Sequence, residues 1–302
     1  MTFTTQIKEE ITKEENNNIE DLTSLCTYLK FNATLEEDKM TVMVVNASVA
    51  RWIFKLLKTN YNVLIKLTTR TMKRFKARNL YILEVKEKLD LIYKDIDNIF
   101  KEISTSSDEE KKAFLKGMFL ACGSINDPKK NQYHLEFLVK EEDDAKLIDD
   151  LLNSLKIKSK VLKRDREYMV YVKSSENISD FIKYLGAFNA LFYFEDIRIY
   201  KDHKNMVNRL NNCEQANVER TLKSSKVILD NIKYLEDNDL LMLLDDRSKE
   251  IIEYKRKYPD TSLGELADII TMETNKSITK SGINHHFRKI NALVKKAKEN
   301  HE

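Results

Sequence analysis

Cysteine is scarce in this sequence: Cys26, Cys122 and Cys213 are isolated and odd in number. That excludes a fully paired intramolecular disulfide framework and supplies no Cys-x-x-Cys ligand pair, so the three read as reduced packing thiols. The 5 histidines are equally scattered, and the adjacent pair His285 and His286 would point in different directions on a helix, so no metal and no cofactor are expected. Long hydrophobic runs are missing too. No stretch approaches the roughly 18 uncharged apolar residues of a membrane span, and MTFTTQIKEE at the start lacks the apolar core of a signal peptide. The expected setting is the cytoplasm. With 42% hydrophobic and 33% charged residues the chain can bury cores, and 302 residues suit two domains with a linker.

Acidic residues are absent from two windows. Residues 62–80 hold Lys66, Arg70, Lys73, Arg74, Lys76 and Arg78 without a carboxylate, and residues 276–298 hold seven basic side chains, again without one. Such runs are the footprint expected of a surface that approaches phosphates, although a single run also suits a solvated face. The net charge of +3 conceals this distribution.

Periodicity reveals a duplication. Residues 19–31 repeat apolar positions at helical spacing, 39–45 (KMTVMVV) reads as a strand, and 47–58 as a helix. Two strand-like runs at 63–68 and 79–85 flank the first basic window, and a helix follows at 89–101. About 90 residues later the order returns: helix 113–123, strand 133–139, helix 144–155, strands KVLKR and YMVYVK, helix 178–187. The predicted fold class is α+β: two αββαββα halves, about 1–103 and 104–205, each with a mostly antiparallel sheet covered by helices on one face. Side by side, their free faces would form a broad concave surface.

The segment LKGMFLACGS, Leu115 to Ser124, resembles the LAGLIDADG helix of one endonuclease superfamily. Gly117, Ala121 and Gly123 would let it approach a counterpart closely, and LCTYLKFNAT, Leu25 to Thr34, is the expected counterpart. In active members an acidic residue just before the final glycine binds the divalent metal that assists phosphodiester hydrolysis. Here those positions hold Cys122 and, by the repeat alignment, Asn32, so both charges are lost and cleavage is not expected. Asp127 and the cluster Glu36, Glu37, Asp38 lie beyond, where a turn is expected.

After residue 205 the pattern turns helical: a loop KDHKNMVNRLNNCEQA, then a connecting helix at 217–235, the two forming a linker over 206–238. Three helices fit into 239–302. One covers 246–257 and stops before Pro259. TSLGELADII opens the second with a Ser262/Glu265 capping box, and METNKSIT is expected as an extended turn. The third, TKSGINHHFRKINALVKK, places Ile283, Phe287, Ile290 and Val294 on one stripe. Lys280, Ser281, Asn284, His285, Arg288, Lys289 and Lys296 lie off that stripe, and this composition suits a helix that reads base edges and phosphates in double-stranded DNA.

Residues 113–137, VNRLNNCEQAN (207–217) and TKSGINHHFRKI (279–290) together resemble the WhiA family over nearly the whole chain. That resemblance implies a sporulation and cell-division regulator of Gram-positive bacteria, with a degenerate homing-endonuclease domain and a helix-turn-helix like the promoter-reading region of sigma factors. It leaves RNA polymerase or cell-division proteins open as partners, and transcription or chromosome segregation open as the process. A nuclease and a protein-contact adaptor are the competing classes.

Overall fold

The computed structural model describes residues 2–14, 17–72, 78–130 and 132–299, and the chain divides into two compact units, Met1–Asp202 and His203–Glu302. In the first unit, α1 (Phe3–Ile11) precedes the first copy: α2 (Asn18–Asn32), β1 (Ala33–Leu35), β2 (Met40–Val44), α3 (Ala47–Tyr61), β3 (Ile65–Met72), β4 (Arg78–Val85) and α4 (Leu89–Glu102). The second copy repeats the order as α5 (Asp108–Cys122), β5 (Gly123–Ile125), β6 (Leu135–Val139), α6 (Glu142–Ser154), β7 (Lys160–Lys163), β8 (Tyr168–Val172) and α7 (Ser175–Tyr184). The sheets run β1-β2-β4-β3 and β5-β6-β8-β7, antiparallel throughout. Both copies are therefore αββαββα, the α+β class that the alternating pattern predicts.

Local chemistry explains the main helix of each copy. Asn17 caps α2 by accepting from the Glu20 N–H, and Ser107 and Glu110 form a capping box on α5, whose first turn carries Asp108, Glu109 and Glu110. In β6, Leu135, Phe137 and Val139 point to the core while Glu136 and Leu138 point away. One apolar core serves both copies, with Phe119, Phe137 and Phe181 meeting edge to face at 5.7 to 6.5 Å between ring centres.

The long helix α8 (Phe188–Asp237) corrects the sequence reading. The expected loop before residue 217 is helical, and a linker with a separate connecting helix does not form. No glycine or proline interrupts these residues, and the polar run KDHKNMVNRLNNCEQA is exposed, as a solvated helix requires. Glu10 of α1 fixes its start by accepting from the N–H groups of Asn189 (2.7 Å) and Ala190 (3.1 Å).

In the second unit, α9 (Asp246–Lys257), α10 (Leu263–Thr274) and α11 (Lys280–Glu299) pack with the last turns of α8 around Ile232, Leu235, Ile251, Leu266, Ile270, Ile283, Phe287 and Ile290. The connection from α10 to α11 is shorter than expected, because Met272, Glu273 and Thr274 are helical. Glu273 holds that last turn, accepting from Tyr258 Oη at 2.9 Å and pairing with Lys257 at 3.2 Å. Asn275 then stops the helix in the left-handed region, with φ 54°.

Candidate nucleic-acid interface

Helices α2 and α5 cross at the centre of the first unit, and Gly117 is why they can. A Cβ there would lie 2.4 Å from the Ser24 carbonyl oxygen and 2.8 Å from Thr27 Cβ. Thr27 is fully buried and turns its hydroxyl to the Thr23 carbonyl of its own helix, so its own donor is satisfied at the crossing. Two bonds flank it: Ser24 Oγ donates to the Ala113 carbonyl (2.9 Å) and Asn32 Nδ2 to the Ala121 carbonyl (3.2 Å). Ala121 thus meets the partner helix through its backbone. Gly123 ends α5 and opens β5, and the three atoms nearest its Cβ position belong to Phe119 of its own helix.

The helices end at Asn32 and Cys122, 90 residues apart, which places these two at equivalent positions. Neither supplies the carboxylate charge that a hard divalent cation takes. Asn32 is exposed and already committed to Ala121, while the Cys122 thiol, half-buried and donating to the Met118 carbonyl (3.4 Å), is pushed up to about 12 by burial. Lys8 of α1 reaches this end of α5, donating to the Leu120 carbonyl at 3.0 Å, and its charge opposes the upward push on Cys122. Burial lowers Lys8 itself to about 8. Lys8 thus brings a cation to the end of α5 beside Cys122. Glu36, Glu37 and Asp38 are exposed around the β1–β2 turn, and Asp127 follows β5, accepting from the Lys129 N–H. Among the described residues no three His, Cys, Asp or Glu side chains are placed to hold a metal ion.

On the outward faces of the sheets, register sets the neighbours. Lys66, Thr68 and Arg70 of β3 stand opposite Glu84, Ile82 and Leu80 of β4, and Lys66 pairs with Glu84 at 3.2 Å. Arg70 is exposed. Lys73, Arg74 and Lys76 lie outside the described residues, and Arg78 is placed only as the backbone partner of Met72. On the second sheet, Glu136 accepts from Ser124 Oγ (3.1 Å) and lies 3.1 Å from His134 Nε2. Met43 with Ile82, and Leu138 with Met169 and Leu162, add an apolar row to each sheet.

The outward face of α11 is different. Ile283, Phe287, Ile290 and Val294 are buried, and Lys280, Ser281, His285, Arg288, Lys289 and Lys296 are exposed, with Asn284 half-buried at the flank. Lys289 is paired with Asp245, the N-cap of α9, at 3.6 Å. Lys280, Arg288 and Lys296 have no carboxylate partner among the described residues.

The family models for the WhiA N-terminal LAGLIDADG-like domain, the WhiA LAGLIDADG-like domain and the WhiA C-terminal HTH domain match residues 19–99, 111–204 and 207–294. The "Probable cell division protein WhiA" of Oceanobacillus iheyensis is 36% identical, over 99% of this chain and 98% of its own length. The protein of that name from Bacillus cytotoxicus is 37% identical, over 98% and 97%. The chain belongs to the WhiA family. Its fold is shared with full-length DUF199/WhiA from Thermatoga maritima (TM-score 0.60, 21% identity, 98% of this chain and 99% of that one) and with the N-terminal LAGLIDADG domain of DUF199/WhiA (TM-score 0.52, 20% identity, 61% and 90%). No helix among the described residues is long and apolar enough to cross a membrane.

Sequence reasoning missed two residues at the sites of this WhiA-family chain. Lys8 was legible through its helix, since Phe3, Ile7 and Ile11 recur every four residues and Thr2 caps them. Asp245 as the partner of Lys289 was not, because the two are 44 residues apart.

Proposed function

We propose that this protein is a sequence-specific DNA-binding regulator acting in cell division, chromosome segregation or sporulation-type transcription control, without nuclease activity. The observation that carries the reading is the exposed face of α11. Free Lys280, Arg288 and Lys296 accompany Ser281, Asn284 and His285 there, on a helix anchored by four buried apolar residues. Arginine and small polar side chains near the start of such a helix reach base edges in the major groove, while lysines farther along reach phosphate. The names of the relatives supply the cell-division setting. The duplicated unit acts in this reading as a scaffold that presents the helical unit and contributes Arg70 to backbone contacts. RNA polymerase or cell-division proteins are the partners such a regulator would engage, in the cytoplasm on the nucleoid.

Chromatin immunoprecipitation in the native host tests the reading. Discrete peaks sharing a sequence are expected, whereas absence of enrichment together with capture of a division protein would replace it with the adaptor reading. Incubation with plasmid DNA and Mg²⁺ is expected to give no cutting above background.

A further inference from the structure

A cavity of about 180 Å³ lies within the second unit, lined by Arg220, Thr221, Ser224 and Ser225 of α8, by Thr261, Ser262 and Leu263 at the start of α10, and by Lys280 at the start of α11. Its lining holds two cations, no carboxylate and five hydroxyls, of which that of Thr261 is spent on the Tyr258 carbonyl at 2.8 Å. Neither Arg220 nor Lys280 has an acidic partner among the described residues. Beneath it lies Lys255 of α9, fully buried, whose ammonium donates to Ser225 Oγ at 2.8 Å and to the Thr261 carbonyl at 2.7 Å. That buried charge has no carboxylate within ion-pair distance among the described residues, so its field reaches the cavity through the two residues that it holds. The acids whose charge acts on it are Asp260 and Glu265, and the Glu265 carboxylate is occupied by the Ser262 N–H at 2.7 Å. The N–H groups of Leu263 and Gly264, in the first turn of α10, have no acceptor within their own helix.

Hydroxyl donors, two free cations, a buried ammonium and a helix start converge on this one space. We infer that this cavity seats a phosphate, and that the phosphate belongs to the DNA backbone beside the groove that α11 reads. The inference rests on the proposed DNA-binding function and extends its interface to α8, a helix outside the three that the sequence assigned to recognition. Arg220 supplies the forked donor, Thr221 and Ser224 the hydroxyls, and Lys280 links the seat to the first turn of α11. Contacts of this kind fix register without reading sequence.

Full-length protein, wild type and Arg220→Ala, is titrated with a duplex carrying the preferred site and with a random duplex over a salt series. Arg220 is exposed, so its removal leaves the fold intact. Arg220→Ala should lower affinity for both duplexes by the same factor and reduce the salt slope by about 1, with Thr221→Val giving a smaller equal loss. An unchanged slope in Arg220→Ala overturns the seat and leaves the α11 reading standing. A wild type that binds no duplex even at low salt overturns both. The last arm adds inorganic phosphate alone and follows the amide signals of Leu263 and Gly264. Phosphate that perturbs them while Arg220→Ala keeps its duplex slope assigns the cavity to a small phosphate compound and overturns the backbone assignment.

Discussion

The β3 face of the duplicated unit and the outward face of α11 both come from acid-free stretches of sequence, and they carry their charge differently. On β3, Lys66 meets Glu84, while Arg70 has no carboxylate partner among the described residues. On α11, Lys280, Arg288 and Lys296 remain free, and only Lys289 is drawn to an acid of another helix. Geometry explains the contrast. A helical residue finds its nearest neighbours three or four positions away, inside an acid-free window, whereas a strand residue finds them across the sheet. Glu84 lies just beyond the first window and neutralises a cation inside it. Lys295 likewise meets Glu299 just beyond the second window at 3.9 Å, so an acid-free run leaves its charge free except where register, a neighbouring helix or the edge of the window brings a carboxylate.

The largest effect that would sharpen this division of labour is expected at the helix crossing. Gly117→Ala forces a methyl onto the Ser24 backbone and should cost the duplicated unit more than about 3 kcal/mol. Trp52, the one tryptophan, lies in that unit and reports its unfolding by fluorescence. The matching change in α10, Gly264→Ala, meets nothing nearer than Ser262 Oγ at 3.8 Å and should stabilise the helical unit by up to about 1 kcal/mol. Equal effects of the two would remove the tight crossing from the account.

Next in size is Lys8. Its folded pKa of about 8 lies below the ordinary 10.5, so between those values the unfolded chain binds more protons and the contribution of this group to stability rises with pH. At 1.36 kcal/mol per unit, discounted for partial exposure, the rise is about 2 kcal/mol. Lys8→Met should abolish it, which shows as a difference between the two proteins' unfolding free energies that shrinks from pH 8 to 10.5. A constant difference would place the ammonium in water.

The smallest effects separate the two charged faces. Lys66→Ala should leave the salt slope of DNA binding nearly unchanged, because Glu84 already neutralises it, while Lys296→Ala should reduce the slope by about 0.9. The reverse order would make the sheets the principal DNA-binding surface.

Much of the fold was legible because it rests on periodicities. The duplication, the four-residue stripe of α11 and the Ser262/Glu265 capping box are local patterns, and the structure holds all three. Strands β1 and β5 escaped, being only three residues each and defined by partners. The polar middle of α8 escaped because nothing buries it, leaving no apolar period to read. Gly117 was legible as a close-packing residue, but Gly123 carries the same letter for a different task, ending a helix. At the candidate site the residue types on α11 could be read directly, whereas the pairing of Lys289 with Asp245 and the cavity beside Arg220 depend on tertiary contacts.

The central claim is that α11 reads the sequence and the duplicated unit does not. Its most direct test is the ratio of affinities for the preferred and a random duplex, measured for Arg288→Ala and Arg70→Ala at one salt concentration. Arg288→Ala should lose roughly 1 to 3 kcal/mol at the preferred site and lower that ratio, as loss of a bidentate base contact does, while Arg70→Ala weakens both duplexes alike and preserves it. A ratio that falls for Arg70→Ala and holds for Arg288→Ala would assign recognition to the sheets and contradict the account.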